Sequence, residues 1–311
     1  MESDDPPPHA RAVPPRSPGH EPVLARAMLL MAGSVSLYPL SDAISKSLTM
    51  DYHPVQVTWA RYVFQFLILA VVLGGPRIVR WFRTEHLALQ LSRSLLAVLS
   101  TVCFVSALRL IEVVDAIAII FVAPLLMVAF SVPLLGERVG FHRWGAVIVG
   151  FVGMLIVFRP GFGMAVGGAL LALASTVFNA LMQIVTRKVV RTDHPVTTLL
   201  YLVAGGAVLI SLVVPFYWTA PKGTAWMLMI LAGLIGGIAH FGVIKAIQMA
   251  PLSALAPFSY TQILSATVVS YVVSGYLPDA ISVLGVAIVI GSGLYVFHRE
   301  RRLAVMRVAA P

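Results

Sequence analysis

The chain has 311 residues, of which 59% are hydrophobic and only 11% charged, with a mean hydropathy of +0.91 and a formal net charge of +9. A water-soluble domain carries about 25% charged residues, which excludes a soluble enzyme or a nucleic-acid-binding module and sets the positive balance against anionic lipid. The single cysteine, Cys103, excludes an internal disulfide and a multi-cysteine metal site, and reads as a small packing residue.

Residues 1–23 are crowded with proline and lack an apolar core segment, so they read as a disordered tail and not as a signal peptide. Ten apolar runs follow, near the ~20 residues that a helix needs to cross a bilayer. They cover 25–47, 55–74, 87–108, 113–135, 142–159, 164–186, 196–218, 225–247, 252–276 and 280–297, and are numbered here spans 1 to 10. Inside lipid each backbone group needs an internal partner, and no ten-residue alternation favours a barrel. The expected fold class is an all-α membrane protein of ten transmembrane helices, closed by a basic tail at 299–311.

Each ionisable group inside the membrane costs about 2.5–3.5 kcal/mol and needs a reason. In span 1 Tyr38 and Asp42 lie one turn apart, and Lys46 follows Asp42 by another turn. That acid-before-base order predicts an Asp42–Lys46 ion pair. The pair either trims the helix end or lines a vestibule in which Asp42 binds a cation or a coupling proton. In span 2 Arg61 is about two turns from the helix start, with Gln65 one turn deeper on the same stripe. Its guanidinium either locks onto Asp42 or holds an anionic substrate group in a bidentate contact. Trp59, Tyr62 and Tyr260 are expected to line the apolar part of a substrate.

Arg93 in span 3 reads as a snorkelling cation, and Glu112 and Asp115 as acids at a helix start, where the dipole welcomes negative charge. Pro124 and Pro257 read as kinks in spans 4 and 9. Span 6 offers Asn179 and Gln183, and span 9 offers Tyr260 and Gln262 after Pro257, whose missing amide leaves a carbonyl free for a ligand. Such neutral groups serve either interhelical hydrogen bonds or ligand contacts. His240 in span 8 is either a packing residue or a proton carrier. No phosphate-binding Gly-Lys-Ser/Thr motif, His-Glu-x-x-His pair or serine elbow occurs, so the expectation is no enzyme, no cofactor and no metal.

Lys and Arg fall unevenly. With both termini cytoplasmic, 17 of the 22 lie on the cytoplasmic side, and only Lys46, Arg61, Arg109, Arg159 and Lys222 do not. His-Pro-Val occurs at His53–Val55 and again at His194–Val196, 141 residues apart. At that offset Leu29, Leu30, Ser34 and Leu40 meet Leu170, Leu171, Ser175 and Leu181, and Lys46 meets Arg187. At an offset of 139, Leu125, Ser131 and Gly136 meet Leu264, Ser270 and Gly275. The chain therefore reads as a five-helix unit made twice, over 24–161 and 162–298. Five crossings are odd, so the copies are inverted, which is the architecture of secondary transporters with a site near the midplane.

The stretch Arg109–Gly161 resembles the drug/metabolite transporter superfamily in its EamA-type branch. The resemblance is carried by the proline-bearing fourth span, the Leu-Gly-Glu turn at Leu135–Glu137 and the Gly-rich fifth span ending in Arg-Pro-Gly. Asp42, Lys46 and Arg61 in their setting resemble the subgroup with bacterial S-adenosylmethionine and riboflavin transporters. The resemblance implies a multi-pass inner-membrane carrier of a small polar metabolite, with a cavity between spans 1–4 and 6–9. It also implies that spans 5 and 10 serve as scaffold or homodimer contacts. Export by the same fold is the alternative, and a membrane sensor or scaffold is the other class, which the short tails disfavour. Nucleic acid is not an expected partner; the lipid bilayer is.

Overall fold

The structure is a computed structural model, and it describes residues 20–73, 78–79, 81–135, 141–158, 165–189, 193–250 and 255–309. Among them helices account for all ten spans and no strand occurs. Spans 1 to 3 are His20–Leu48, Pro54–Val72 and Leu87–Leu108. Span 4 is two pieces, Val113–Ile120 and Ala123–Leu135, and span 5 is Phe141–Phe158. Span 6 is Val166–Val189, and span 7 is Pro195–Val213 with a 3-10 turn over Val214–Tyr217. Span 8 is Gly223–Met249, span 9 a 3-10 turn Ala256–Tyr260 leading into Thr261–Ser274, and span 10 Ala280–Ala309. Spans 1–4 and 6–8 are long and apolar enough to cross a membrane, while spans 5 and 10 carry shorter apolar cores, Trp144–Val157 and Ala280–Val296.

The ends differ from the sequence reading. Span 1 already begins at His20, inside the predicted tail, and the span 10 helix runs through the basic segment to Ala309. Arg, Leu, Ala and Met are good helix formers, so nothing in 299–309 stops a helix that span 10 has already nucleated. Residues 1–19 lie outside the described residues. So do Gly136 and Glu137 of the Leu-Gly-Glu turn, Arg159–Gly161, and Arg77, Arg80, Arg138 and Arg191.

In span 4 proline acts by ending regular helix, not by bending it. A proline ring clashes with the carbonyl four residues earlier. Four residues before Pro124 is Ile120, where the first piece of span 4 stops, with a turn at Phe121 and Val122 before the second piece. Pro257 lies in the 3-10 turn that opens span 9.

The repeated His-Pro-Val is a helix N-terminus. His53 and His194 are N-caps with nearly equal dihedrals, φ −63° ψ 140° and φ −66° ψ 142°. Proline follows as the first helical residue, where its missing N–H costs nothing. Each ring accepts, at Nδ1, the backbone N–H two residues on, from Val55 at 3.3 Å and from Val196 at 3.2 Å. The rings then rest on aromatics of the opposite repeat, His53 on Tyr217 at 4.2 Å and His194 on Trp81 at 4.9 Å between centroids for Trp81.

Helix neighbours come in exchanged pairs. Span 1 packs on span 8 as span 6 packs on span 3, span 2 on 8 as span 7 on 3, and span 1 on 9 as span 6 on 4. Spans 2 with 7, 4 with 9 and 5 with 10 pack on their own counterparts. This is the pattern that a two-fold axis exchanging spans 1–5 with 6–10 requires. Phe121 and Tyr260, which correspond at the 139 offset, lie against each other at 5.2 Å where span 4 breaks and the α-helix of span 9 begins. Spans 5 and 10 cross in backbone contact: a Cβ on Gly153 would stand 2.9 Å from the Gly285 carbonyl, and one on Gly285 2.8 Å from the Gly153 carbonyl.

Candidate functional site

The junction of spans 1, 2 and 8 gathers most of the polar residues singled out in the first repeat. On span 1, Tyr38, Asp42 and Ser45 recur at helical spacing and face one side. Asp42 is 3% exposed and Ser41 and Ser45 are fully buried. Arg61 Nη1 donates to Asp42 Oδ1 at 2.7 Å and to Ser45 Oγ at 3.1 Å. Ser45 donates in turn to the Ser41 carbonyl at 2.8 Å, and Ser41 Oγ to the Ala232 carbonyl of span 8 at 2.9 Å. Gly233 makes the approach of spans 2 and 8 possible, because a Cβ there would run into Phe64 and stand 3.2 Å from the Gln65 amide nitrogen.

One turn deeper, Gln65 Nε2 lies 2.9 Å from His240 Nδ1. With the amide so placed it donates, so the ring accepts at Nδ1 and carries its proton on Nε2. Tyr38 meets the same ring edge-on at 5.3 Å. Arg61 uses only Nη1: its Nε–Nη2 edge has no hydrogen-bond partner among the described residues, and the side chain is 16% exposed. That edge is the planar fork that receives a carboxylate through two parallel bonds.

The expected Asp42–Lys46 pair is not made. Lys46 Nζ instead reaches Glu112 Oε1 at 3.2 Å and donates to the Ile111 carbonyl at 2.6 Å, and Glu112 also accepts from Ser274 Oγ at 3.0 Å. The turn that leads into span 4 lies over the end of span 1 and offers an ammonium both a carbonyl and a carboxylate. Glu112 is the N-cap residue of span 4 but makes no side-chain cap bond, so its carboxylate serves this cross-link.

The equivalent junction, of spans 6, 7 and 3, is built differently. Arg93 was expected to snorkel, yet it is 4% exposed. Its Nε donates to Thr186 Oγ1 at 2.8 Å, and Nη1 to Gln90 Oε1 at 2.7 Å and to the Thr198 carbonyl at 3.2 Å. Gln90 Nε2 passes the network on to Asp193 Oδ2 at 2.7 Å, which Thr84 Oγ1 also reaches. Gln90 is one turn away on the same helix, but the other partners come from spans 6 and 7, the turn between them and the segment after span 2, which helical spacing within span 3 does not disclose.

Other residues singled out in the sequence lie elsewhere. Trp59 is two positions from Arg61 and so on the other side of span 2; its indole donates to Ser211 Oγ at 3.0 Å within a cluster of Phe64, Trp218 and Trp226. Tyr62 is buried and bonded to Thr101 Oγ1 at 3.0 Å. Asn179 is half-buried and Gln183 exposed, and neither makes a hydrogen bond among the described residues. Gln262 is half-buried beside Tyr260, whose hydroxyl lies against Gly293 of span 10. Among the described residues no group of His, Cys, Asp and Glu is arranged to hold a metal.

Comparison with known proteins agrees with the two-unit organisation. The model of the EamA-like transporter family matches twice, over residues 25–159 and 166–297. The chain is 24% identical over 264 residues to an S-adenosylmethionine uptake transporter of Rickettsia felis, covering 84% of this chain and 89% of that one. It is 26% identical over 295 residues to a riboflavin transporter of Vibrio cholerae, covering 91% and 96%. A solved crystal structure shares the fold with a TM-score of 0.60 at 22% identity, over 90% of this chain and 99% of that one. With both repeats matched and the pairing of its spans exchanged about one axis, the chain belongs to the EamA-like transporter family, as a multi-pass membrane transporter of a small metabolite and not an enzyme.

Proposed function

We propose that the protein is a secondary carrier of the inner membrane that moves a small polar or charged organic metabolite by alternating access. Both termini are cytoplasmic, so the His53 face is outside and the His194 face inside, as the Lys and Arg distribution favours. The cargo is of the S-adenosylmethionine, riboflavin or amino-acid kind, as the names of the relatives suggest.

The observation that carries this reading is the pair Arg61–Asp42, closed at 2.7 Å between transmembrane helices with the Nε–Nη2 edge of Arg61 unengaged. A fully satisfied structural pair would use that edge. Here it is held ready for an anionic group, while Asp42 stands beside it for a cationic one. Tyr38, Gln65 and His240 extend the same wall, while Asn179, Gln183, Tyr260 and Gln262 lie away from this junction and would supply neutral contacts from the second repeat once the repeats rearrange. Exchange of outward- and inward-open forms follows from the two-fold pairing of spans, since a rearrangement in one repeat has its mirror in the other. Proton coupling would run through Asp42 or His240. A homodimer would use the outer apolar face of spans 5 and 10, where Ile148, Val152 and Leu284 are exposed.

The test is uptake into proteoliposomes of labelled S-adenosylmethionine, riboflavin and several amino acids, each with and without an imposed pH gradient. Saturable uptake of one compound is expected. Asp42→Asn is expected to abolish any stimulation by the gradient. If uptake and its pH response survive that change intact, coupling through Asp42 is wrong; if no compound moves in either direction, the cargo class is wrong.

A further inference from the structure

We propose that Arg93 is the receiving group of a second subsite for anions, on the His194 face, reached from that face when the Gln90–Asp193 contact opens. The inference rests on the carrier reading above for its direction, but its chemistry stands on the geometry of the 3, 6, 7 junction.

Arg93 is anchored from one side. Thr186 holds Nε, while Gln90 and the Thr198 carbonyl hold Nη1. Nη2 makes no hydrogen bond among the described residues, so two N–H donors of a nearly buried cation are unassigned. The hydroxyl of Thr198, whose carbonyl holds Nη1, is buried and without a partner among the described residues. Nη2 is free to take an acceptor, and the buried hydroxyl leaves a hydrogen bond unmade, which in the interior costs about 1–3 kcal/mol.

The way in is visible. A pocket of ≈ 470 Å³ is lined by Arg83, Thr84, Glu85, Asp193, His194 and Thr197. Its wall includes Asp193, 9% exposed, behind which stand Gln90 and then Arg93. Only one amide separates the pocket from the guanidinium. If Gln90 swings with Asp193, Nη1 is released toward the same side as Nη2, and the end of the guanidinium becomes a fork for a carboxylate, sulfonate or phosphate oxygen pair. Arg61 occupies the corresponding junction on the opposite face. An anionic cargo group would then pass from Arg61 to Arg93 as the two repeats exchange roles, and Gln90 is a positioning residue for the second step.

The experiment needs no knowledge of the cargo. In a Cys103→Ser background, which removes the only cysteine, Thr198→Cys places one thiol beside Arg93. Membrane vesicles of each orientation are treated with two methanethiosulfonates, one bearing a sulfonate and one a trimethylammonium group. The sulfonate reagent is expected to react about five-fold faster than the cationic one, from the His194 face only, since one nearby charge acts strongly in so dry a site. Arg93→Gln should remove the preference, and Arg93→Lys should keep it. Equal rates for both reagents, faster reaction of the cation, or no reaction from the His194 face would each overturn the subsite. If Arg93→Gln does not fold, the Lys variant against the parent, with Gln90→Ala expected to speed the sulfonate reaction, decides the question. The result is independent of the uptake panel, so a failed panel and a failed subsite can be told apart.

Discussion

The 1, 2, 8 junction and the 6, 7, 3 junction occupy equivalent places in the fold, and each links an arginine to a carboxylate. In the first, span 2 contributes the arginine, which touches Asp42 directly; at its counterpart in span 7 stands Leu202. In the second, span 3 contributes the arginine, and it reaches Asp193 only through Gln90. What the repeats share is therefore the frame: cap, crossing and partner helix. What they do not share is where charge enters that frame. Shared features identify the fold, and the departures from symmetry coincide with the place proposed for a polar cargo.

The largest expected effect breaks this comparison at its charged end. Removing one member of a buried pair strands the other and costs about 3–5 kcal/mol. Arg61→Ala and Asp42→Ala should each lower stability by that order, and Asp42→Ala combined with Arg61→Ala by clearly less than the sum, as read from unfolding in detergent. Leu202→Ala, at the place equivalent to Arg61, is half-buried and should lose only about 1–2 kcal/mol of packing. Equal losses at 61 and 202 would erase the asymmetry.

Next comes the frame itself. Gly153→Val puts a branched side chain where the Gly285 backbone passes, and should destabilise by about 1–3 kcal/mol or part spans 5 and 10. Cross-linking between cysteines placed in those two helices would report the separation.

A smaller effect separates the observed partner of Lys46 from the one that local spacing predicted. Lys46 and Glu112 are each about a quarter exposed, at 23% and 24% of their side chains, so Lys46→Ala should cost no more than about 1 kcal/mol. Were Lys46 the partner of Asp42, the loss would approach that of Arg61→Ala. Glu112→Gln should match Lys46→Ala and add nothing to it in the double variant.

The two histidine caps give the smallest effects. Either His→Ala change should cost about 0.5–2 kcal/mol, the worth of an N-cap. His53 adds a pH term. Burial and then the charge of Arg109 hold its imidazole below the ordinary value of 6.5. The unfolded chain therefore takes up the proton first as pH falls, and the stability given by the neutral cap is present above ~6.5 and lost below it. The ring is largely exposed, so the loss is slight. His53→Asn keeps a cap acceptor and should flatten that part of the stability–pH profile.

These differences also explain which parts of the molecule the sequence disclosed. Apolar length placed all ten spans, missing mainly the helical extensions to His20 and Ala309, because in lipid helix and apolar run are nearly the same statement. The His-Pro-Val pair disclosed the repeat because a cap is a local device. Lys46 was misassigned because its partners lie across the chain at Ile111 and Glu112, whereas helical spacing speaks only of neighbours in one helix. Arg93 was misread for the same reason, with Thr186 and Thr198 about a hundred residues away. Proline marked spans 4 and 9 as irregular but left open which peptide would leave the helix. Trp59 is expected from sequence to line the apolar part of a substrate, but it stands two positions from Arg61 and so on the other side of span 2, bonded to Ser211.

The central claim is that the asymmetric junction handles the cargo. Its most direct test is the initial rate of labelled S-adenosylmethionine uptake into proteoliposomes for the parent, Arg61→Ala and Leu202→Ala, at equal amounts of folded protein. The account predicts loss of saturable uptake for Arg61→Ala and a rate within about two-fold of the parent for Leu202→Ala, since only the first removes a charge-assisted contact. Uptake that survives in Arg61→Ala as well as in Leu202→Ala would contradict it and leave Arg61 a structural partner of Asp42.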